Sequence, residues 1–103
     1  MKSAFHEAAA EEAREAVDHY DAITQGLGDR FNNELRAAVR LIEEYPEASP
    51  VIAKAIRKKV LLEFPYTVFY RITDEEVLIL AVAHQLRRPG YWRSRTVPVK
   101  PGA

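Results

Sequence analysis

Seven consecutive apolar residues, Val77-Leu78-Ile79-Leu80-Ala81-Val82-Ala83, constrain this chain more than any other feature. The run is far shorter than the roughly 20 residues a membrane span needs, and it lacks the polar alternation of a half-exposed strand. It reads as the central strand of a sheet, apolar on both faces. A chain of 103 residues supports one hydrophobic core, so the cover for that strand must come from the rest of the same domain.

The cover is legible upstream. From Glu7 onward, Ala9, Ala13, Ala16, Val17, Tyr20 and Ile23 recur at steps of three and four, the stripe of an amphipathic helix. Glu11, Glu12, Glu15 and Asp18 fall largely off that stripe, with carboxylates crowding the early turns where the helix dipole favours them. Gly26-Leu27-Gly28 stops the helix, and Asp29 is placed to cap a second one striped by Phe31, Leu35, Ala38, Val39, Ile42 and Tyr45. Pro46 ends it. Two such helices joined by a short glycine turn pack antiparallel and bring both stripes to a common surface.

That surface follows in the chain. Pro46 to Pro50 reads as a loop, and Ala55 to Glu63, Tyr66 to Thr73 and Glu76 to His84 read as extended runs. The middle run alternates, with Val68, Tyr70 and Ile72 on one side and Thr67, Phe69 and Arg71 on the other. A short strand is expected over Ser3 to His6. The expected architecture is therefore α+β: a short N-terminal strand, then an antiparallel two-helix hairpin, packed on an antiparallel three- to four-stranded sheet. One domain is expected over residues 1–96, with a flexible tail over 97–103.

The absence of cysteine removes disulfides, thiolate nucleophiles and cysteine-based zinc sites together. His6, His19 and His84 lie on different elements without ligand spacing, so no metal site and no cofactor are implied. No run resembles a signal peptide or a membrane span, and the expected location is the cytoplasm. The net charge of zero hides a separation. Residues 1–50 hold five Lys/Arg against eleven Asp/Glu, whereas residues 51–103 hold ten against four. A basic C-terminal half suits an anionic partner, and equally suits a solvated strand surface.

The basic charge is densest just after the apolar run. Within the twelve residues His84 to Arg95 stand four arginines, a histidine, a tyrosine and the only tryptophan. Arginine offers forked donors to phosphate or carboxylate, and aromatics stack on bases or anchor protein interfaces. Tyr91 and Trp92 fit a recognition surface, and fit as well a fold-back that seals the edge of the core.

Over residues 5–95 the sequence resembles the RelE/ParE superfamily of toxins from type II toxin-antitoxin systems, a family that includes plasmid stabilisation proteins. The resemblance rests on Phe5 with the acidic helix to Tyr20, Gly26-Leu27-Gly28-Asp29-Arg30-Phe31 with Glu34-Leu35, and Pro46. It continues through Ile56-Arg57, Phe64-Pro65-Tyr66, Phe69-Tyr70-Arg71-Ile72, Val82-Ala83-His84, Arg87 and Pro89-Gly90-Tyr91-Trp92. Each piece is weak alone; their order and spacing together are specific.

The resemblance implies a growth-arresting toxin silenced by a cognate antitoxin that wraps the helical hairpin and sheet edge. Two targets occur in the superfamily. Members that cut messenger RNA on the ribosome need a proton acceptor, a proton donor and cationic charge stabilisation; here Lys58 or Lys59, Arg57, His84, Arg87 and Tyr91 are the candidates. Thr67 follows Tyr66 where such a ribonuclease carries a basic residue, and Val60 stands where a second alternating lysine is expected. His84 is either a catalytic group or a hydrogen-bonded strand-end residue. Gyrase-directed members need no catalytic set. The neutral net charge and the two long helices lean towards inhibition of DNA gyrase, with Arg57, Arg71, Arg87, Arg88, Tyr91, Trp92 and Arg93 as target-binding residues. A member that only binds its antitoxin is the third possibility.

Overall fold

In a computed structural model, residues 1–95 are described; the tail expected over 97–103 lies outside the described residues. The elements run β1 (Lys2–Phe5), α1 (Glu7–Ile23), α2 (Leu27–Glu44), β2 (Val51–Ala53), β3 (Ile56–Val60), β4 (Tyr66–Ile72) and β5 (Glu76–His84). They form one five-stranded sheet in the order β1-β5-β4-β3-β2, with the helical hairpin on one face.

Alanine-rich α1 follows from helix propensity as well as from its stripe. Ala9 and Ala16 are buried, and their small side chains let the helix axis lie close to the sheet. In α2 the stripe Phe31, Leu35, Ala38, Val39 and Ile42 is buried as expected. Tyr45 and Ile23 are not: both fall at helix ends, where the chain turns away from the core, and they are 58% and 61% exposed.

The turn between the helices is tighter than its glycines suggested. Gly26 sits at φ 87° as the residue preceding α2, a left-handed conformation that glycine adopts without steric cost. Asp29 therefore lies inside the first turn rather than capping it. The N-terminal amide of Gly28 is satisfied instead by the Asp21 carboxylate of α1, at 2.8 Å.

The sheet departs from the sequence reading in two ways. It is mixed, because β1 pairs parallel with β5, Lys2 opposite Glu76 through Phe5 opposite Ile79. Both helices and three strands intervene between these partners, which gives the crossover that a parallel pair requires. It also has a fifth strand, β2, between the expected loop and the first expected extended run, where no element was assigned; it pairs antiparallel with β3 through Val51 and Ala53.

The strand expected to be central is central: β5 runs between β1 and β4 and is buried from Val77 to Ala83. Between Ile79 (opposite Tyr70) and Ala81 (opposite Phe69), Leu80 is an extra residue. This bulge turns both Leu80 and Ala81 towards the face away from the helices. Val77, Ile79 and Val82 face the helical layer, with Val68 and Tyr70 of β4. The buried Tyr70 hydroxyl donates to Pro46 O at 2.7 Å and fixes the exit from α2.

Candidate functional site

Beyond β5 the chain does not leave the sheet. Arg87 N donates to His84 O at 3.0 Å, Arg93 N to Gly90 O at 3.0 Å and Arg95 N to Trp92 O at 2.9 Å. These successive tight turns double the segment back over the open face, opposite the helices. Gly90 makes the bend at φ 77°. Trp92 lands on the sheet, 3% exposed, in a second core with Ile56, Leu78, Leu80, Ala81 and Ala83. Its ring stacks on Phe69 with centroids 4.6 Å apart. Of the two roles open to Trp92, sealing the core is the one its placement fits; it is not an exposed contact residue.

Tyr91 is half-buried beside it. Its hydroxyl donates to Glu12 Oε2 at 2.5 Å, and the Arg87 guanidinium lies 4.0 Å from its ring centroid. Burial, the hydrogen bond to Glu12 and the Glu12 charge together push the Tyr91 phenol well above its ordinary range, against the opposing pull of Arg87 and Arg95. Arg95 donates from Nη1 to Glu12 Oε1 at 2.8 Å and to Leu80 O at 3.2 Å. Glu12, which its spacing places off the apolar stripe of α1, is thus the anchor of this segment. Its partners lie about 70 to 83 residues away in sequence, and no local pattern reports such a bond.

The remaining candidates divide between the two faces. Lys58 pairs with Phe69 in the β3–β4 register and shares its open face, as does Arg71 two residues along β4. Arg87, Arg88 and Arg93 are exposed on the segment itself, with Arg93 leaning towards Ala53 and Lys54. Arg57 points the other way, towards the helical side: its Nη1 donates to Glu47 O at 3.0 Å and Ser49 O at 2.7 Å, holding the loop before β2. It does not join the others. Lys59, opposite Val68, is also on that side.

His84 closes β5 opposite Tyr66, again on the helical side, with ring centroids 5.1 Å apart. Its Nδ1 accepts from Leu86 N at 3.0 Å. Next to it a polar cleft of about 200 Å³ is lined by Glu12, Glu15, His19, Tyr66 and Arg87. Burial, followed by the charges of Tyr20, Glu12 and Glu15, raises the Tyr66 phenol. On the open-face side, a second cleft of about 200 Å³ lies between Thr67, Phe69 and the Arg87-Arg88 turn, and it brings together three of the sequence candidates, His84, Arg87 and Tyr91. Among the described residues no group of three or more His, Asp or Glu side chains is placed to hold a metal ion.

A separate groove of about 450 Å³ runs along the helical hairpin, floored by Phe5, Ala10, Ala13, Leu35 and Val39 and flanked by Arg36 and Arg40. None of the sequence candidates lines it.

Residues 4–89 match the model of the ParE toxin of type II toxin-antitoxin systems, parDE. The chain belongs to the ParE toxin family. Two relatives named Toxin ParE2, from Mycobacterium tuberculosis strains CDC 1551 / Oshkosh and H37Rv, are each 33% identical over 85 residues, 82% of this chain and 81% of theirs. A solved structure described as the chromosomal ParDE TA system from P. aeruginosa superposes with a TM-score of 0.62 over 82% of this chain and 95% of that one, at 17% identity, a likeness of fold. As a member of this family the chain is the toxin component of a type II toxin-antitoxin system, and a cognate antitoxin is its partner. No helix among the described residues is long and apolar enough to cross a membrane.

Proposed function

We propose that this ParE-family chain arrests growth in the cytoplasm by inhibiting DNA gyrase without catalysis, and that its open sheet face with the arginine-rich segment is the surface that meets the target. The observation that supports a binding role over messenger RNA cleavage is the engagement of the Tyr91 hydroxyl by Glu12. His84, Arg87 and Tyr91 line one cleft, but Lys58 is not among its lining residues, and the Tyr91 hydroxyl is held by Glu12 with its proton bound more tightly than in free tyrosine. General acid–base catalysis needs its acid and base converging on one reacting phosphate, with affinities for the proton near the working pH. As a binding surface the same residues need only be exposed: Lys58, Arg87, Arg88 and Arg93 are, and Tyr91 supports Arg87 from beneath.

The antitoxin is assigned to the hairpin groove. An apolar floor bordered on its α2 side by two arginines one turn apart suits an amphipathic segment with an acidic edge, the helix-in-groove mode of recognition. This placement leaves the arginine-rich segment on the far side of the sheet. Purified toxin, released from its antitoxin, is expected to block supercoiling by purified gyrase and to leave messenger RNA on translating ribosomes intact; ribosome-dependent cuts with unaffected supercoiling would reverse the assignment.

A further inference from the structure

The short first strand leaves a gap in the sheet. β1 covers β5 only from Glu76 to Ile79, and the last backbone bond between them runs from His6 N to Ile79 O at 2.8 Å. Past that point no strand among the described residues lies beside the β5 edge, and its amides and carbonyls need other partners. Glu12 reaches down from α1 into this gap. Its Oε1 accepts from Val82 N at 3.0 Å, while the edge carbonyl of Leu80 accepts from Arg95. The same carboxylate binds Arg95 and the Tyr91 hydroxyl, so one side chain joins α1, the β5 edge and both ends of the Tyr91–Arg95 turn.

The Glu12 and Arg95 side chains are only 12% and 17% exposed. A carboxylate this buried is tolerated because both oxygens are occupied by donors and a guanidinium balances its charge. Aspartate is one methylene short of the span, and glutamine replaces one acceptor oxygen with a donor that faces Tyr91 or Arg95. Residues Tyr91 and Arg95 lie beyond the stretch matched to the family model, which ends at residue 89.

From this geometry we propose that Glu12 is the positioning residue of the toxic surface: it holds the arginine-rich segment in its working orientation without touching the target. Glu12 orients Tyr91, and the Tyr91 ring in turn carries Arg87. The proposal rests on the reading that this segment meets the target. Trp92, the only tryptophan, reports the segment's position directly because its ring is seated on Phe69.

The test compares full-length Glu12→Ala and Arg88→Ala with the unchanged chain, by far-UV circular dichroism, Trp92 emission with acrylamide quenching, and growth on induction. Glu12→Ala is expected to keep the helical signal, shift Trp92 emission to the red, raise quenching towards that of a solvent-exposed indole and lose growth arrest. Arg88→Ala is expected to keep Trp92 buried and weaken arrest. Unchanged emission in Glu12→Ala overturns the positioning role. A released Trp92 with undiminished arrest overturns instead the reading of the segment as the target surface. If Glu12→Ala does not fold, the double variant Tyr91→Phe with Arg95→Ala leaves the Glu12 bond to Val82 in place. It is expected to give the same release, and a seated Trp92 there overturns the proposal equally.

Discussion

Replacing Trp92 by alanine separates a packing residue from a contact residue, and the structure sets the size of the effect. The indole is 3% exposed, stacked on Phe69 and surrounded by the apolar side chains of β3 and β5. Truncating a buried tryptophan to alanine costs about 3–5 kcal/mol. The segment is held by tight turns rather than by strand pairing and can relax, which places the expected loss at the lower limit, about 3 kcal/mol. In a domain of this length each kcal/mol moves Tm by about 4–8 °C, so Trp92→Ala is expected to melt at least about 12 °C lower. Trp92→Phe, which keeps a ring on Phe69, is expected to recover more than half of that. Thermal melts followed by far-UV circular dichroism measure both, with growth arrest scored in parallel. A Trp92→Ala chain that melts within about 3 °C of the unchanged one yet no longer arrests growth would refute the packing assignment, because that shift is worth less than about 1 kcal/mol.

Other substitutions test other parts of the account. A Cβ on Gly28 would lie 2.5 Å from Val17 O and 2.7 Å from Asp21 Cγ, so Gly28→Ala must push the helices apart; a loss of about 1–3 kcal/mol in a denaturant titration is expected despite alanine's better helix propensity. Arg36→Glu with Arg40→Glu is expected to weaken antitoxin binding about tenfold, equivalent to about 1.4 kcal/mol, and to leave toxicity intact, read by titration and by failure of antitoxin co-expression to rescue growth. The Tyr91 phenol titrates above its ordinary value near 10 in the folded chain. Its contribution is full below that pH and fades as pH rises through the folded value, so Tyr91→Phe is expected to remove a late phase from the phenolate absorbance titration.

What the sequence disclosed follows from the range of each interaction. The two helices were legible because their stripes repeat every three or four residues, and β4 because Val68, Tyr70 and Ile72 alternate with Thr67, Phe69 and Arg71. β5 was legible as a doubly covered strand, and its second cover was one of the two roles that the sequence left open for Tyr91 and Trp92. β2 was missed because three residues give no periodicity, and the parallel partnership of β1 with β5 joins segments at opposite ends of the chain. Within the site, consecutive residues Arg57 and Lys58 look equivalent in a basic run, but strand pleating sends them to opposite faces. Glu12 resembled its neighbours Glu11 and Glu15 in every local respect. Only the short β1, which leaves the β5 edge open above Ile79, distinguishes it.

Inhibition of gyrase through the open sheet face can be checked by inducing the chain alone in a bacterial host and following chromosomal DNA and translated messages together. DNA-damage signalling with intact messages is expected, reduced by Arg88→Ala. Loss of translation through ribosome-dependent cuts, or unhindered growth, would contradict it.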